Sequence, residues 1–319
     1  MPNVLAKEFI LAFLTFSSGV TASWYWFRFV PVLAAGEIND WATILIATLL
    51  LLGAAICFSV FTILVKSRGI MYATVALTAG VPYLFVPAEI PVLVAFGSSV
   101  LFLIVAASFI RTEHVLTPGF NTRKIIRAGL PLYFTIISLT VSIYYFVAVR
   151  PKSIVDIILP RPAFNASVRQ LSRPITMLLG MAPIAPEQTV DDALKAYVTS
   201  DLQKRGIDAS AIPAEELTKM IASVRENLAA QFNLTLDGKT SLPDAIYQNI
   251  GARADAIAGP YRKYFPFGAA LLFFLTFKGL TLPLHYATIL ITAIVIKILI
   301  AIQFVKKQKE QVTVERLTL

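Results

Sequence analysis

The chain has 319 residues, of which 57% are hydrophobic and 15% charged, with a formal net charge of +9 and a mean hydropathy of +0.72. This composition excludes an ordinary soluble globular domain and indicates an integral membrane protein. The basic excess is typical of anchoring to anionic lipid headgroups, worth about 1 kcal/mol per surface Lys or Arg. Since the sequence contains no compact basic patch interleaved with aromatic residues, we do not expect a nucleic-acid partner.

Seven apolar segments follow one another, each long enough for a membrane-spanning helix of about 20 residues. We place them approximately at Phe9–Val30, Trp41–Val65, Ile70–Val86, Pro91–Ile110, Ala128–Val149, Phe265–Leu282 and Leu284–Val305. The third is short and contains Pro82, and Lys278–Pro283 predicts the turn of a final hairpin. The aromatic cluster Trp24–Phe27 favours a first helix that is retained rather than cleaved as a signal peptide.

The expected fold class is therefore an all-α integral membrane protein. Its predicted divisions are a five-helix transmembrane region over 1–149, a polar, mostly helical domain over 150–263, a transmembrane hairpin over 264–305 and a basic tail over 306–319. The polar domain contains three amphipathic patterns, at about Val190–Arg205, at about Pro213–Phe232, and from the candidate N-cap Ser241 to Gly259.

Basic residues in the short loops predict the orientation in a cell membrane. With the N-terminus in the cytoplasm, the inner loops receive Lys7, Lys66, Arg68, Arg111, Arg123, Lys124, Arg127 and Lys278. The outer short loops hold only Glu37, Asp40 and Glu89, with Arg28 at a helix end. Residues 150–263 are then extracytoplasmic. Seven spans would also leave the basic tail outside, so either the tail violates the rule or one span of the last pair is miscounted.

Motifs for catalysis, metals and nucleotides are missing from the sequence. The two histidines, His114 and His285, lack metal-ligand spacing, and the single cysteine, Cys57, is typical of a small buried hydrophobe. Gly97-Ser98-Ser99 favours close helix packing over a serine nucleophile, because His114 lies in a loop and His285 at the very start of the last predicted span, so neither is placed as a histidine base inside another span. We expect no catalytic residue, no metal and no cofactor.

Two features are candidate sites. Arg123, Lys124 and Arg127 precede an apolar helix and could bind an anionic lipid or an acidic partner, although a plain positive-inside anchor is the simpler interpretation. Lys297 is an intramembrane charge candidate inside the last apolar run. It needs a partner or a water-filled cavity there, unless the span tilts and lets the ammonium reach the headgroups.

Three functions fit the sequence. The first is a non-enzymatic scaffold that binds the lipid bilayer through its spans and a protein partner through residues 161–259. The second is a small-solute transporter or channel that uses proline-broken helices and Lys297. The third is an integral membrane enzyme with Glu37, Asp40 and Glu89 as its only outer short-loop carboxylates, which we rank last.

Overall fold

The computed structural model describes residues 2–37, 40–117, 119–168, 170, 188–208, 212–232 and 234–305. Within these ranges the regular structure is helical, with one isolated bridge between Thr189 and Ser241, so the all-α prediction is confirmed. The α-helices are α1 Pro2–Ala35, α2 Trp41–Leu64, α3 Arg68–Gly80, α4 Ile90–Leu116, α5 Thr122–Arg127, α6 Leu130–Val149, α7 Ile154–Ile158, α8 Val190–Lys204, α9 Ala214–Phe232, α10 Leu242–Ala258 and α11 Phe265–Ala301. The predicted basic tail over 306–319 lies outside the described residues.

The chain divides into two compact units. Unit 1 comprises Met1–Leu33, Ile38–Arg150 and Phe267–Leu319. Unit 2 comprises Ala34–Glu37 and Pro151–Pro266, so its long segment begins and ends near the limits of the polar interval in the sequence. In chain order this long segment lies between α6 and α11, whereas Ala34–Glu37 lies between α1 and α2.

Five helical segments of the described chain are long and apolar enough to cross a membrane. They are Val4–Ala35, Trp41–Leu64, Ile90–Leu116, Leu130–Val149 and the continuous run Leu242–Ala301, whose apolar part is α11. The first four correspond to the first, second, fourth and fifth spans of the sequence analysis. Helices of this length and composition indicate a membrane protein, because a helix satisfies its own backbone hydrogen bonds in hydrocarbon.

The third predicted span is divided rather than a single long helix. Residues Arg68–Gly80 form α3. Val81–Phe85 continues it as a 3-10 helix, and Pro82 lies in the first turn of this 3-10 helix. Proline lacks an N–H group and is tolerated there, where no intrahelical donor is needed. The 3-10 helix rises more per residue than an α-helix, so the two pieces together extend about 30 Å.

The C-terminal part of the chain corrects the predicted hairpin. The structure contains one 37-residue helix, α11, with Pro283 inside it, where the sequence predicted a turn over Lys278–Pro283 and two spans. Apolar residues continue on both sides of Pro283, and the helix runs through it without a break. Proline inside an apolar helix is tolerated where nearby hydroxyls and neighbouring helices satisfy the freed carbonyls.

Contacts within unit 1 define two ends of its helices. At the first, which we call the basic end, Lys7 donates to the Phe304 carbonyl at 2.7 Å and Glu8 accepts the Lys66 backbone N–H at 2.9 Å. Arg111, near the end of α4, donates there to the Val65 carbonyl at 3.0 Å. At the opposite end Arg150 forms an ion pair with Glu89. Residues 7 and 304 therefore lie at the same end of unit 1.

Unit 2 is made of short helices with well-formed N-termini. Thr189 and Asp192 form a capping box at the start of α8, and Ser241 caps α10 by accepting the Asp244 N–H at 3.3 Å. Gly206 ends α8 with a φ of +76°, which favours glycine. The three predicted amphipathic helices are thereby confirmed as α8, α9 and α10. Part of the proline-rich segment before them, residues 171–187, lies outside the described residues.

Candidate functional site

The predicted basic site lies on α5, a short helix between α4 and α6. Asn121 caps it by accepting the Lys124 N–H at 3.3 Å, and Ile125 and Ile126 are completely buried. With its apolar side fixed in this way, α5 exposes Arg123, Lys124 and Arg127 together. The structure thus brings the three predicted residues to one exposed surface.

The three basic side chains differ in their partners. Lys124 forms an ion pair with Glu113 at 2.9 Å, whereas no ion pair of Arg123 or Arg127 is found in the described part of the chain. Lys124 binds an external anion less favourably, since Glu113 already neutralises its charge. Arg123 and Arg127 are therefore the members of this group best suited to bind a phosphate or carboxylate group.

Lys297 does not lie in a polar pocket. Its side chain is exposed on α11, and no hydrogen bond or ion pair of it is found among the described residues. It lies about one helical turn before the end of α11 at Ala301 and seven residues before Phe304, at the basic end. A lysine stem can carry its ammonium from there toward the headgroups, which favours the snorkelling alternative over a mid-membrane role.

Lys278 is the lysine of α11 that contacts a neighbouring helix, α6. It donates to the Pro131 carbonyl at 3.1 Å and to Thr135 Oγ1 at 2.6 Å, both on the first turns of α6. The sequence analysis assigned Lys278 to a loop because Pro283 predicted a turn. The continuous helix instead leaves it partly buried beside the start of α6, where these two oxygens supply its hydrogen bonds.

A cavity in unit 1 lies among α1, α2, α3, α4 and α6 and leaves about 50 Å³ accessible to water-sized molecules. Aromatic and aliphatic side chains form most of its wall. Seven hydroxyl-bearing side chains also line it: Thr15, Ser23, Thr78, Ser99, Tyr133, Thr140 and Tyr144. Its lining contains no charged side chain. It is thus a neutral, weakly polar site that lies among α3 and four helices that are candidate spans.

Most of the hydroxyl groups donate to backbone or neighbouring oxygens. Thr15 donates to the Leu11 carbonyl at 2.8 Å, Thr78 to the Thr74 carbonyl at 2.8 Å, and Tyr144 to the Pro82 carbonyl at 3.0 Å. Ser99 shares a 2.6 Å hydrogen bond with Tyr83.

Tyr133 differs from the four hydroxyl-bearing residues just described. It is only 5% exposed, and its hydroxyl has no hydrogen-bond partner within the part of the chain that the structure describes. Its ring stacks on Phe58, with 4.5 Å between the centroids, which fixes the direction of the side chain.

The sequence analysis missed this cavity, although α1 carries a usable signal. Thr15, Gly19, Ala22, Ser23 and Trp26 recur at helical spacing on one side of an otherwise bulky apolar helix, and all five line the cavity. Small residues at such spacing also permit close helix packing, so the pattern by itself does not distinguish a cavity from a helix contact. Tertiary packing brings the lining residues of α2, α3, α4 and α6 to the cavity, and a single sequence does not reveal that packing.

The comparisons with known proteins identify no relative. No protein-family model matches the chain, and no curated protein or solved structure is similar to it. Within the described residues, no group of three His, Cys, Asp or Glu side chains could hold a metal ion. Any function must therefore be argued from the surfaces and the cavity themselves.

Proposed function

We propose that the protein is a non-enzymatic, multi-pass protein of the cell membrane whose unit 2 binds a protein partner outside the cytoplasm. The observation that carries the proposal is an exposed apolar stripe on α10, formed by Ile246, Ile250 and Ile257. Their exposed fractions are 41%, 40% and 80%. Spacings of four and seven residues put all three on one side of the helix.

The stripe contrasts with the rest of α10. On other sides of the helix Ala245, Tyr247 and Asn249 are buried, so α10 already packs against its own unit. Burying the exposed fractions of these side chains would gain a part of the roughly 1.5–3 kcal/mol that full burial of an isoleucine contributes, the largest part at Ile257. An apolar surface on a second protein would supply that burial, and exposed apolar patches commonly mark such interfaces.

The orientation in this proposal requires an even number of membrane crossings, so that residues 7 and 304 lie on the same side of the membrane. Residues 7 and 304 lie at the same end of unit 1. We propose six crossings, formed by α1, α2, α3 with its 3-10 extension, α4, α6 and α11. The extended α3 is about as long as a hydrocarbon core is thick. With the basic end in the cytoplasm, the segment leading into the basic tail also ends there, and the conflict with the positive-inside rule disappears.

Site-specific photo-crosslinking in intact cells tests partner binding. A photoreactive amino acid at Ile250 should yield an adduct heavier than the 35.0 kDa chain, whereas the same group at the exposed Gln248, on another side of α10, should not. Ile246→Ser with Ile257→Ser should abolish the adduct. An Ile250 probe that reacts only with lipid, or equally from both positions, would contradict a protein partner.

A cysteine at Gln248 in a Cys57→Ser background tests the sidedness. A membrane-impermeant maleimide should label it in intact cells. Labelling that requires lysis would place unit 2 in the cytoplasm and overturn the orientation.

For α5, we propose that Arg123 and Arg127 bind anionic headgroups at the cytoplasmic surface, with an acidic protein as the alternative ligand. Two unpaired arginines on one exposed surface support this role. The transporter function remains second, because the exposed, unpartnered Lys297 gives it little support. The enzyme function remains third.

A further inference from the structure

The hydroxyl-lined cavity of unit 1 combines two kinds of hydrogen-bonding group. A hydroxyl that donates to a helix carbonyl still has lone pairs that can accept. Thr15, Thr78 and Tyr144 have committed their protons in this way, so their oxygens can only accept from a further molecule. The Tyr133 hydroxyl, without a partner among the described residues, can still donate. The cavity therefore offers several acceptors and, at Tyr133, a free donor.

The size and charge of the cavity limit its occupant. About 50 Å³ of water-accessible space holds roughly three to five water-sized groups. No charged side chain lines the cavity, so an ion would lose its hydration without finding a counter-charge. A purely apolar occupant would leave the Tyr133 hydroxyl unsatisfied, which is costly in a buried site.

We propose that this cavity binds a small, uncharged organic molecule that carries N–H or O–H donors and one strong acceptor, of the size of a three-carbon amide. The N–H or O–H groups bond to the threonine and tyrosine oxygens, and the acceptor takes the Tyr133 proton. The site lies within unit 1, and the inference does not rest on the proposed partner binding by unit 2.

Trp26 provides a direct reporter, because it lines the cavity and is only 6% exposed. The chain has three tryptophans, so Trp24→Phe with Trp41→Phe leaves Trp26 alone. Acrylamide is a suitable probe, since it quenches indole fluorescence and is a neutral amide of the proposed size. In reconstituted vesicles we expect saturable quenching of Trp26 by acrylamide. Propionamide, which does not quench, should compete, and the charged propionate should not.

Tyr133→Phe should weaken acrylamide binding about three- to tenfold, the usual effect of one lost neutral hydrogen bond. Tyr145→Phe is the matched control. It removes a hydroxyl from the same helix, from a ring that stacks on Phe273 and does not line the cavity, and it should leave the affinity unchanged. If Tyr133→Phe does not accumulate in membranes, Thr140→Val removes another lining hydroxyl with little change of shape.

Three results would overturn the proposal. If quenching rises linearly with the acrylamide concentration and propionamide does not reduce it, acrylamide quenches Trp26 only by collision. The cavity then holds water rather than a bound amide. Equal competition by propionate would exclude a selective neutral site. Equal effects of Tyr133→Phe and Tyr145→Phe, or no effect of Thr140→Val where it replaces Tyr133→Phe, would show that the lining hydroxyls do not bind the probe.

Discussion

Units 1 and 2 are both helical, yet their interiors are built differently. Unit 1 has two extensive clusters of buried apolar side chains, the first joining residues from α1 to α6 with Ile289 and Ile296 of α11. The clusters of unit 2 are small, one formed by Val155, Phe164 and Tyr247 and another by Val198, Leu202 and Ile221.

Their polar groups are also used differently. In unit 1 most buried hydroxyls donate to a carbonyl one turn earlier in their own helix, as Ser59 and Ser138 do. In unit 2 polar side chains join segments distant in sequence, as in the ion pairs Arg161–Asp244 and Arg225–Asp191. We infer that unit 1 depends mainly on shape and volume, and unit 2 on directional polar contacts.

The largest effect should come from adding volume where α4 and the start of α6 meet. A Cβ on Gly129 would overlap the Ala106 carbonyl oxygen and come within 2.8 Å of Ile110 Cγ1. Gly129→Ala should destabilise unit 1 by about 2–3 kcal/mol through overpacking. Thermal unfolding of the purified chain in detergent measures this change.

Gly97→Ala is the matched control, because no atom lies within 4 Å of a Cβ added there. It should be neutral or slightly stabilising, since alanine favours a helix over glycine. Equal destabilisation by both substitutions would contradict the importance of close packing at Gly129.

The same contrast explains which elements the sequence predicted. The first, second, fourth and fifth spans and the helices of unit 2 depend on local patterns, namely apolar length, 3.6-residue periodicity and caps such as Ser241. The continuity of α11 through Pro283 depends on its surroundings, which override the local turn signal.

The site residues divide in the same way. Grouping Arg123, Lys124 and Arg127 needed only their helical spacing. The ion pair of Lys124 with Glu113, the contacts of Lys278 and the convergence of hydroxyls around the cavity join residues far apart in sequence.

The next largest effect should be the loss of a polar contact in unit 2. Asn249 is 9% exposed and bonds to the Thr235 N–H at 2.8 Å, the Thr235 carbonyl at 2.9 Å and the Ala245 carbonyl at 2.7 Å. Asn249→Ala leaves groups of Thr235 without these partners and should cost about 2 kcal/mol. Hydrogen exchange of the α10 amides in the full chain should rise accordingly.

Ser138→Ala in unit 1 sharpens this test. Ser138 is fully buried, but among the described residues its hydroxyl bonds only to the carbonyl of Phe134 in its own helix. Since that carbonyl retains its helical hydrogen bond, the exchange of α6 amides should change little. If Ser138→Ala reduces the protection of α6 amides as much as Asn249→Ala reduces that of α10 amides, the proposed difference between the units is wrong.

A smaller effect is expected at the capping box of α8. The Thr189 hydroxyl accepts the Asp192 N–H at 3.2 Å, and the Asp192 carboxylate accepts from Thr189 in return. Thr189→Ala should cost about 1 kcal/mol, most of it visible as faster hydrogen exchange in the first turn of α8. Thr189→Ser keeps the hydroxyl and should restore protection. Failure of serine to do so would assign the loss to packing of the threonine methyl group.

The smallest expected effect is a pH dependence of unit 2 at Asp156. Burial raises the pKa of this carboxyl, but hydrogen bonds from Ser153 and from the Tyr247 hydroxyl, each at 2.6 Å, outweigh it and hold the pKa below its ordinary value of 3.8. A lowered folded-state pKa stabilises the fold above the unfolded-state pKa. This contribution is lost as the pH falls from about 3.8 through the folded-state value.

Tyr247→Phe removes one of these donors, so it should raise the pKa of Asp156. The free energy of unfolding should then fall less as the pH is lowered. The side chain of Asp156 is only partly buried, so solvent screening keeps the effect small. Thermal unfolding of the full chain between about pH 5 and pH 2.5 measures it, with Tyr197→Phe, at an exposed tyrosine of α8, as the control. Parallel pH profiles for the native chain and Tyr247→Phe would show that this hydrogen bond does not favour the ionised carboxylate. Unit 2 would then lose one of the polar contacts that distinguish it from unit 1.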